Sequence, residues 1–190
     1  MVTALEIGVG VIGLIIVGTI FVIYNSLVVL RNNISKAWSD IDVLLQQRHD
    51  ELGKLIDTVS GYMKYEKGVL TSVTQLRSAW ISTPQQNVSQ KMEMSNKISA
   101  ALKSIFAVAE NYPDLKANAS FQQLQDRISG IETQIADRRE FYNDSVNQFN
   151  IKIQQIPYNT IAGALGYTKQ LLFEAPPEAK ADVKVKFDQP

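Results

Sequence analysis

The one imidazole of the chain, His49, stands between Arg48 and Asp50, and acid–base chemistry would have to begin there. A histidine beside a carboxylate can serve as a general base near neutral pH. A base alone does no chemistry, and the sequence supplies no companion. There is no Gly-x-Ser-x-Gly elbow to present a nucleophile, and no Gly-x-Gly-x-x-Gly or Gly-Lys-Ser/Thr loop to hold a phosphate. Zero cysteines exclude disulfides and thiolate metal sites, and one histidine makes imidazole-rich metal sites a poor expectation. The carboxylates are spread along helical faces with no pair placed for a cleft. His49 therefore reads as a histidine on the flank of a helix. The expectation is a protein that is not an enzyme, with no catalytic residue, metal or cofactor.

Two arginines draw more notice. Arg48 and Arg138 each interrupt a stripe of apolar residues at helical spacing. One reading is a buried polar layer, paired with acids such as Asp42, Asp50 or Asp137, that fixes helix register. The other, the commoner fate of an arginine, lays the stem along the core edge with the head in water. Aromatic residues also stand beside polar ones: Tyr24-Asn25, Trp38-Ser39, Phe141-Tyr142-Asn143-Asp144, Phe149-Asn150 and Phe173-Glu174. Most of these aromatics fall on stripes and read as core, and the neighbouring Asn and Asp leave open a partner surface or side-chain to backbone bonds. The candidate interaction or structural residues are Tyr24, Asn25, Arg31, Trp38, Asp42, Arg48, Arg138, Phe141, Tyr142, Asn143 and Asp144.

The elements that must carry these residues are long helices. From Ile7 to Leu30 no side chain is charged, and in Ile7–Ile23 the only polar one is Thr19. About 20 apolar residues suffice to cross a bilayer core as a helix, so this segment reads as a single transmembrane span. A cleaved signal peptide would want a basic leader and a small-x-small site after a shorter run; MVTALE carries no Lys or Arg, and YNSLVVLRNN has no such site. The basic residues Arg31, Lys36 and Arg48 all follow the span. The positive-inside rule then puts the short N-terminus outside and the remainder in the cytoplasm of a cell-membrane protein. Across the 190 residues, 19 Lys+Arg balance 19 Asp+Glu, so no positive field invites nucleic acid.

Beyond the span the apolar period is helical. Ile34, Trp38, Ile41, Leu45, Arg48, Leu52, Leu55, Val59 and Tyr62 alternate spacings of four and three, which predicts a helix running on from the membrane to about Tyr65. The phase continues to Trp80, and a break is placed near Lys67-Gly68. Thr83-Pro84-Gln85-Gln86 reads as the capped start of the next helix, and Asn111-Tyr112-Pro113-Asp114 as its end. Ser120–Gln123 reads as a second capping box opening a helix that Pro157 stops. The expected fold is all-α: residues 1–24 an outside N-terminus and anchor, 25–157 an antiparallel four-helix bundle, and 158–190 a tail. The tail's short apolar section is expected near the membrane surface, and its last dozen residues are expected to be poorly ordered.

The segment YNSLVVLRNNISKAWSDIDVLLQQRHDELGKLIDTVSGYMKYE resembles the LemA family of prokaryotic membrane proteins. The likeness is carried by Tyr24-Asn25, Leu30-Arg31-Asn32, Ala37-Trp38-Ser39 and Ile41-Asp42-Val43, then by Phe141–Asp144 with Asn150, and last by Gly166-Tyr167 and Phe173-Glu174-Ala175. The chain departs from the family pattern at Glu51, where a Leu is usual, and at Gly53-Lys54, where Pro-Asn is usual. The resemblance implies an N-terminal anchor and a four-helix bundle, and it implies no activity. Some relatives are tied to membrane remodelling and others are encoded near membrane zinc metalloproteases. The functional expectation is a membrane-anchored scaffold or adaptor that contacts the lipid bilayer and another membrane or cytoplasmic protein, a membrane metalloprotease among the candidates. The alternative is a homo-oligomer that shapes the membrane.

Overall fold

A computed structural model describes residues 3–84 and 87–174. Among them the regular structure is entirely helical: α1 Ala4–Ser60, α2 Lys67–Ser82, α3 Val88–Ala109, α4 Pro113–Lys116, α5 Ala119–Lys152 and α6 Tyr158–Ala164. The expected disorder of the last dozen residues lies outside the described residues.

α1 opens with a capping box. The Glu6 carboxylate accepts the Thr3 N–H at 2.7 Å, and the Glu6 N–H donates to the Thr3 hydroxyl at 3.4 Å. Of all the described helices, this is the one long and apolar enough to cross a membrane, and its apolar part is almost wholly exposed. In water such a surface would be costly at about 25 cal/mol per Å². Thr19 donates its hydroxyl to the Ile15 carbonyl at 2.8 Å, so the segment's one polar side chain is satisfied inside the helix.

Several predicted boundaries shift. α1 ends at Ser60, and a turn over 61–66 precedes α2. The break therefore comes at Gly61, earlier than Lys67-Gly68. Glycine lowers helix propensity there, while Met63, fully buried, anchors the turn. Tyr62 leaves the stripe and is exposed. Thr83 caps the C-terminus of α2, its hydroxyl donating to the Ala79 carbonyl at 2.8 Å, and does not open α3. The N-cap of α3 is Asn87, whose side chain accepts from the Gln90 N–H. Similarly, Asn118 accepts from the N–H groups of Ser120 and Phe121 at the start of α5, the work assigned above to Ser120. Pro113 occupies the first position of α4, and Pro157 follows the end of α5 through a cis peptide bond.

The chain forms two compact units, each drawn from separated stretches: Met1–Val43 with Ala136–Leu172, and Leu44–Ile135 with Phe173–Pro190. In the first, α1 buries Ile23, Leu27, Ile34, Ala37 and Ile41, α5 buries Tyr142, Val146 and Phe149, and the turn after it buries Ile153. In the second, segments of α1, α2, α3 and α5 contribute Leu45, Leu52, Val73, Trp80, Ile98, Leu102, Phe121 and Ile128 to the core. α2 packs on α3, and Phe106 meets Phe121 edge to face with ring centroids 6.3 Å apart.

Candidate functional site

Two constellations stand out, one in each unit. The first is a clasp on the extended segment after α6. Gly166 takes φ +66°, a conformation that favours glycine, and turns the chain into that segment. Asn150 of α5 holds the backbone of Gln170 from both sides: its Oδ1 accepts the Gln170 N–H at 2.8 Å and its Nδ2 donates to the Gln170 carbonyl at 2.9 Å. Tyr142 donates its hydroxyl to the Leu171 carbonyl at 3.1 Å, and Trp38 of α1 meets the Tyr142 ring edge-on with centroids 5.9 Å apart. Arg31 sets its guanidinium 4.9 Å from the centre of the Tyr167 ring, which also contacts Phe149. Burial raises the Tyr142 phenol above its ordinary pKa, which keeps it a neutral donor.

The second constellation is a polar layer inside an apolar core. Arg48 is 1% exposed. Its Nη1 donates to Glu132 Oε1 at 2.6 Å and to Ser99 Oγ at 2.9 Å, and its Nη2 donates to Ser95 Oγ at 2.9 Å. The layer closes on itself, because Ser99 Oγ donates to the other Glu132 oxygen at 2.8 Å. Burial draws the guanidinium's pKa below the ordinary arginine value, against the charge and hydrogen bond of Glu132. It remains a cation at neutral pH. α1, α3 and α5 are thereby tied at one level.

This corrects the commoner reading of Arg48 as a snorkelling side chain, and also the acids proposed for it. Asp50 instead lies 3.3 Å from His49 Nδ1, and the partner is Glu132. Arg138 is exposed, and Arg139 beside it is half-buried. His49 is buried, not solvated as a flank residue would be, and it borders a cavity of about 460 Å³ with Gln46, Trp80 and Lys91. Of the remaining candidates, Trp38 and Tyr142 join in the clasp with Arg31, and Asp42 and Asn143 are half-buried. Tyr24, Asn25, Phe141 and Asp144 are exposed and lie outside both constellations.

Sequence reasoning missed Ser99, Glu132 and Gln170. Ser95 offered a signal: it is a polar residue on the stripe of α3, as Arg48 is on that of α1. Glu132 lies off its own stripe and gave none.

Comparison with known proteins places the chain in a family. A family model described as the LemA family matches residues 37–187. This chain belongs to the LemA family. The protein named LemA from Metamycoplasma hominis is 29% identical over 171 residues, covering 88% of this chain and 78% of its own. More distant relatives are named as magnetosome proteins. MamQ 2 of Paramagnetospirillum magneticum is 20% identical, covering 85% of this chain and 68% of its own, and MamQ of Magnetospirillum gryphiswaldense is 19% identical, covering 84% and 67%. None of these names is that of an enzyme. The family membership, the apolar N-terminal helix and the magnetosome relatives are together consistent with a membrane protein.

Proposed function

We propose that this LemA-family chain is a membrane-tethered scaffold or adaptor, anchored by the first part of α1 with its N-terminus outside and its helical body in the cytoplasm. The observation that carries the reading is the continuity of α1. One unbroken helix holds the apolar segment, the Trp38 contact and the buried Arg48. Within the first unit the apolar segment runs on as the same helix into a buried core of Ile34, Ala37 and Ile41, with no linker between them, and such an anchor can position a bound protein at the bilayer. The orientation rests on Arg31, Lys36 and Arg48 following the span. The face proposed for the partner is centred on Phe141, 52% exposed on α5 and followed by the exposed Asp144. An exposed aromatic among polar residues is the kind of anchor that interfaces use.

Mild crosslinking of the full-length chain in its native membrane, followed by affinity purification, tests the proposal. A stoichiometric partner, a membrane metalloprotease or another, that is lost with Phe141→Ser supports it. A second reading, self-assembly that shapes the bilayer, draws support from the relatives named as magnetosome proteins. It predicts recovery of the chain with itself alone, in large assemblies.

A further inference from the structure

The turn between α5 and α6 lies alongside the apolar part of α1. Pro157 and Tyr158 form one wall of a groove of about 470 Å³, and Gly18, Thr19, Val22 and Ile23 form the other. A hydrocarbon core of about 30 Å takes roughly 20 helical residues. Counted from Ile7, directly after Glu6, it ends near Ser26. Moving it toward the N-terminus would place the Glu6 carboxylate in hydrocarbon, which is costly. Moving it the other way only deepens the groove. Gly18–Ile23 therefore lies roughly 5–12 Å inside the acyl region, and the α5–α6 turn lies beside it.

The turn is built for that depth. Ile156 at its tip is 86% exposed, and Ile151 is exposed one turn earlier. Its backbone is bonded internally: the N–H groups of Ile153, Gln154 and Gln155 donate to Phe149, Ile151 and Lys152, and the Asn159 N–H donates to Gln155. Pro157 has no N–H to satisfy. The Gln154 amide donates back to the Asn150 carbonyl. Lipid supplies no hydrogen bonds, so a turn at this depth must bond its backbone within the protein, as the N–H groups of Ile153, Gln154, Gln155 and Asn159 do here. The Lys152 ammonium rests 3.9 Å from the centre of the Tyr158 ring, with a stem long enough to reach the headgroup layer.

We propose that this turn is a second membrane contact: Ile156 inserts among the outer acyl carbons on the cytoplasmic side, and a phospholipid acyl chain fills the groove between the turn and α1. Water is a poor occupant, because the Thr19 hydroxyl is already bonded to the Ile15 carbonyl and the other lining side chains of α1 are apolar. The groove also opens directly onto the lipid-exposed surface of Ile15 and Val22.

The inference rests on reading α1 as a membrane span, and the test separates the two. The chain has no cysteine, so Ile12→Cys, Tyr65→Cys and Ile156→Cys each give a single site for a nitroxide label. The full-length protein is placed in phosphatidylcholine–phosphatidylglycerol vesicles, and collision with oxygen is compared with collision with a water-soluble nickel chelate. The label at 156 should resemble that at 12, several-fold less open to nickel than the label at 65, a site 92% exposed. Protection at 12 with none at 156 overturns the second contact and leaves the span standing. No protection at 12 removes the span and this inference with it. Phosphatidylcholine carrying a diazirine in its acyl chain should label the 157–158 peptide, and Gly18→Leu, which fills open space, should reduce that label several-fold. Chain-to-chain crosslinks through Val22 in place of lipid adducts would assign the groove to a second copy and overturn the lipid occupant.

Discussion

At the level of single residues, the buried Arg48 ties α1 to Ser95 and Ser99 of α3 and Glu132 of α5. Arg48→Met leaves Glu132 without its cation and Ser95 without its donor, and a loss of about 3 kcal/mol is expected from the cost of breaking buried pairs. Arg138→Met should stay within about 0.5 kcal/mol, as exposed substitutions do. Urea unfolding of the detergent-solubilised chain, followed by circular dichroism, checks both. Glu132 is 30% exposed at its side chain and can rehydrate, which holds the loss toward the low end of that range. Tyr142 makes a separate prediction. Its folded-state pKa is raised, so the native state holds the proton more tightly than the unfolded chain. That contribution is complete below the unfolded tyrosine value of about 10 and is lost as pH climbs from there to the folded value. Tyr142→Phe should flatten that alkaline loss, and should cost about 1 kcal/mol for the hydrogen bond to the Leu171 carbonyl.

Among the elements, two glycines should respond in opposite directions to the same substitution. Gly130 lies inside α5 with open space where a Cβ would go. Gly130→Ala should stabilise by about 1 kcal/mol through helix propensity alone. Gly166 has equally open surroundings but a φ of +66°. Gly166→Ala should destabilise by about 1 kcal/mol, from the strain of a left-handed conformation. Thermal unfolding of the two variants side by side measures the contrast. Gly53, at a departure from the family pattern, is a third case: a Cβ there would stand 2.8 Å from Arg77 Nη2. That guanidinium ends a flexible, exposed side chain, so the helix can accept the change once Arg77 swings away. The 168–172 segment depends on side chains, because it has no helix or sheet of its own to bond its backbone. Asn150→Ala removes both bonds to Gln170 and should release this segment first, seen as faster amide exchange confined to it.

For the molecule as a whole, the prediction concerns its solvent. If the first part of α1 spans a bilayer, the full-length chain stays with membranes through high salt and alkaline carbonate and is released by detergent. Deleting residues 7–22 should leave at most the shallow hold of the α5–α6 turn, and alkaline carbonate should then extract the protein. Release of the full-length chain by carbonate would overturn the anchor.

The apolar period fixed more than any motif. It marked Ile34 through Val59 on α1 and Met92 through Ala109 on α3 as buried faces, because a 3.6-residue repeat leaves a stripe that must meet other side chains. The uncharged run from Ile7 likewise announced a helix that water would not tolerate. Boundaries were less legible. The stripe runs through the turn after Ser60 without changing phase, and caps can slide a few residues when Thr83, Asn87, Asn118 and Ser120 all have the right chemistry. The partners of Arg48 were beyond the sequence altogether. Ser95, Ser99 and Glu132 come from other helices, and the register between helices exists only once they pack. So too with the clasp: the sequence presented Trp38, Tyr142, Asn150 and Gly166 as separate motifs, and tertiary contact made them one device, since backbone atoms of a segment without secondary structure can be satisfied only by whichever side chains the fold brings to them.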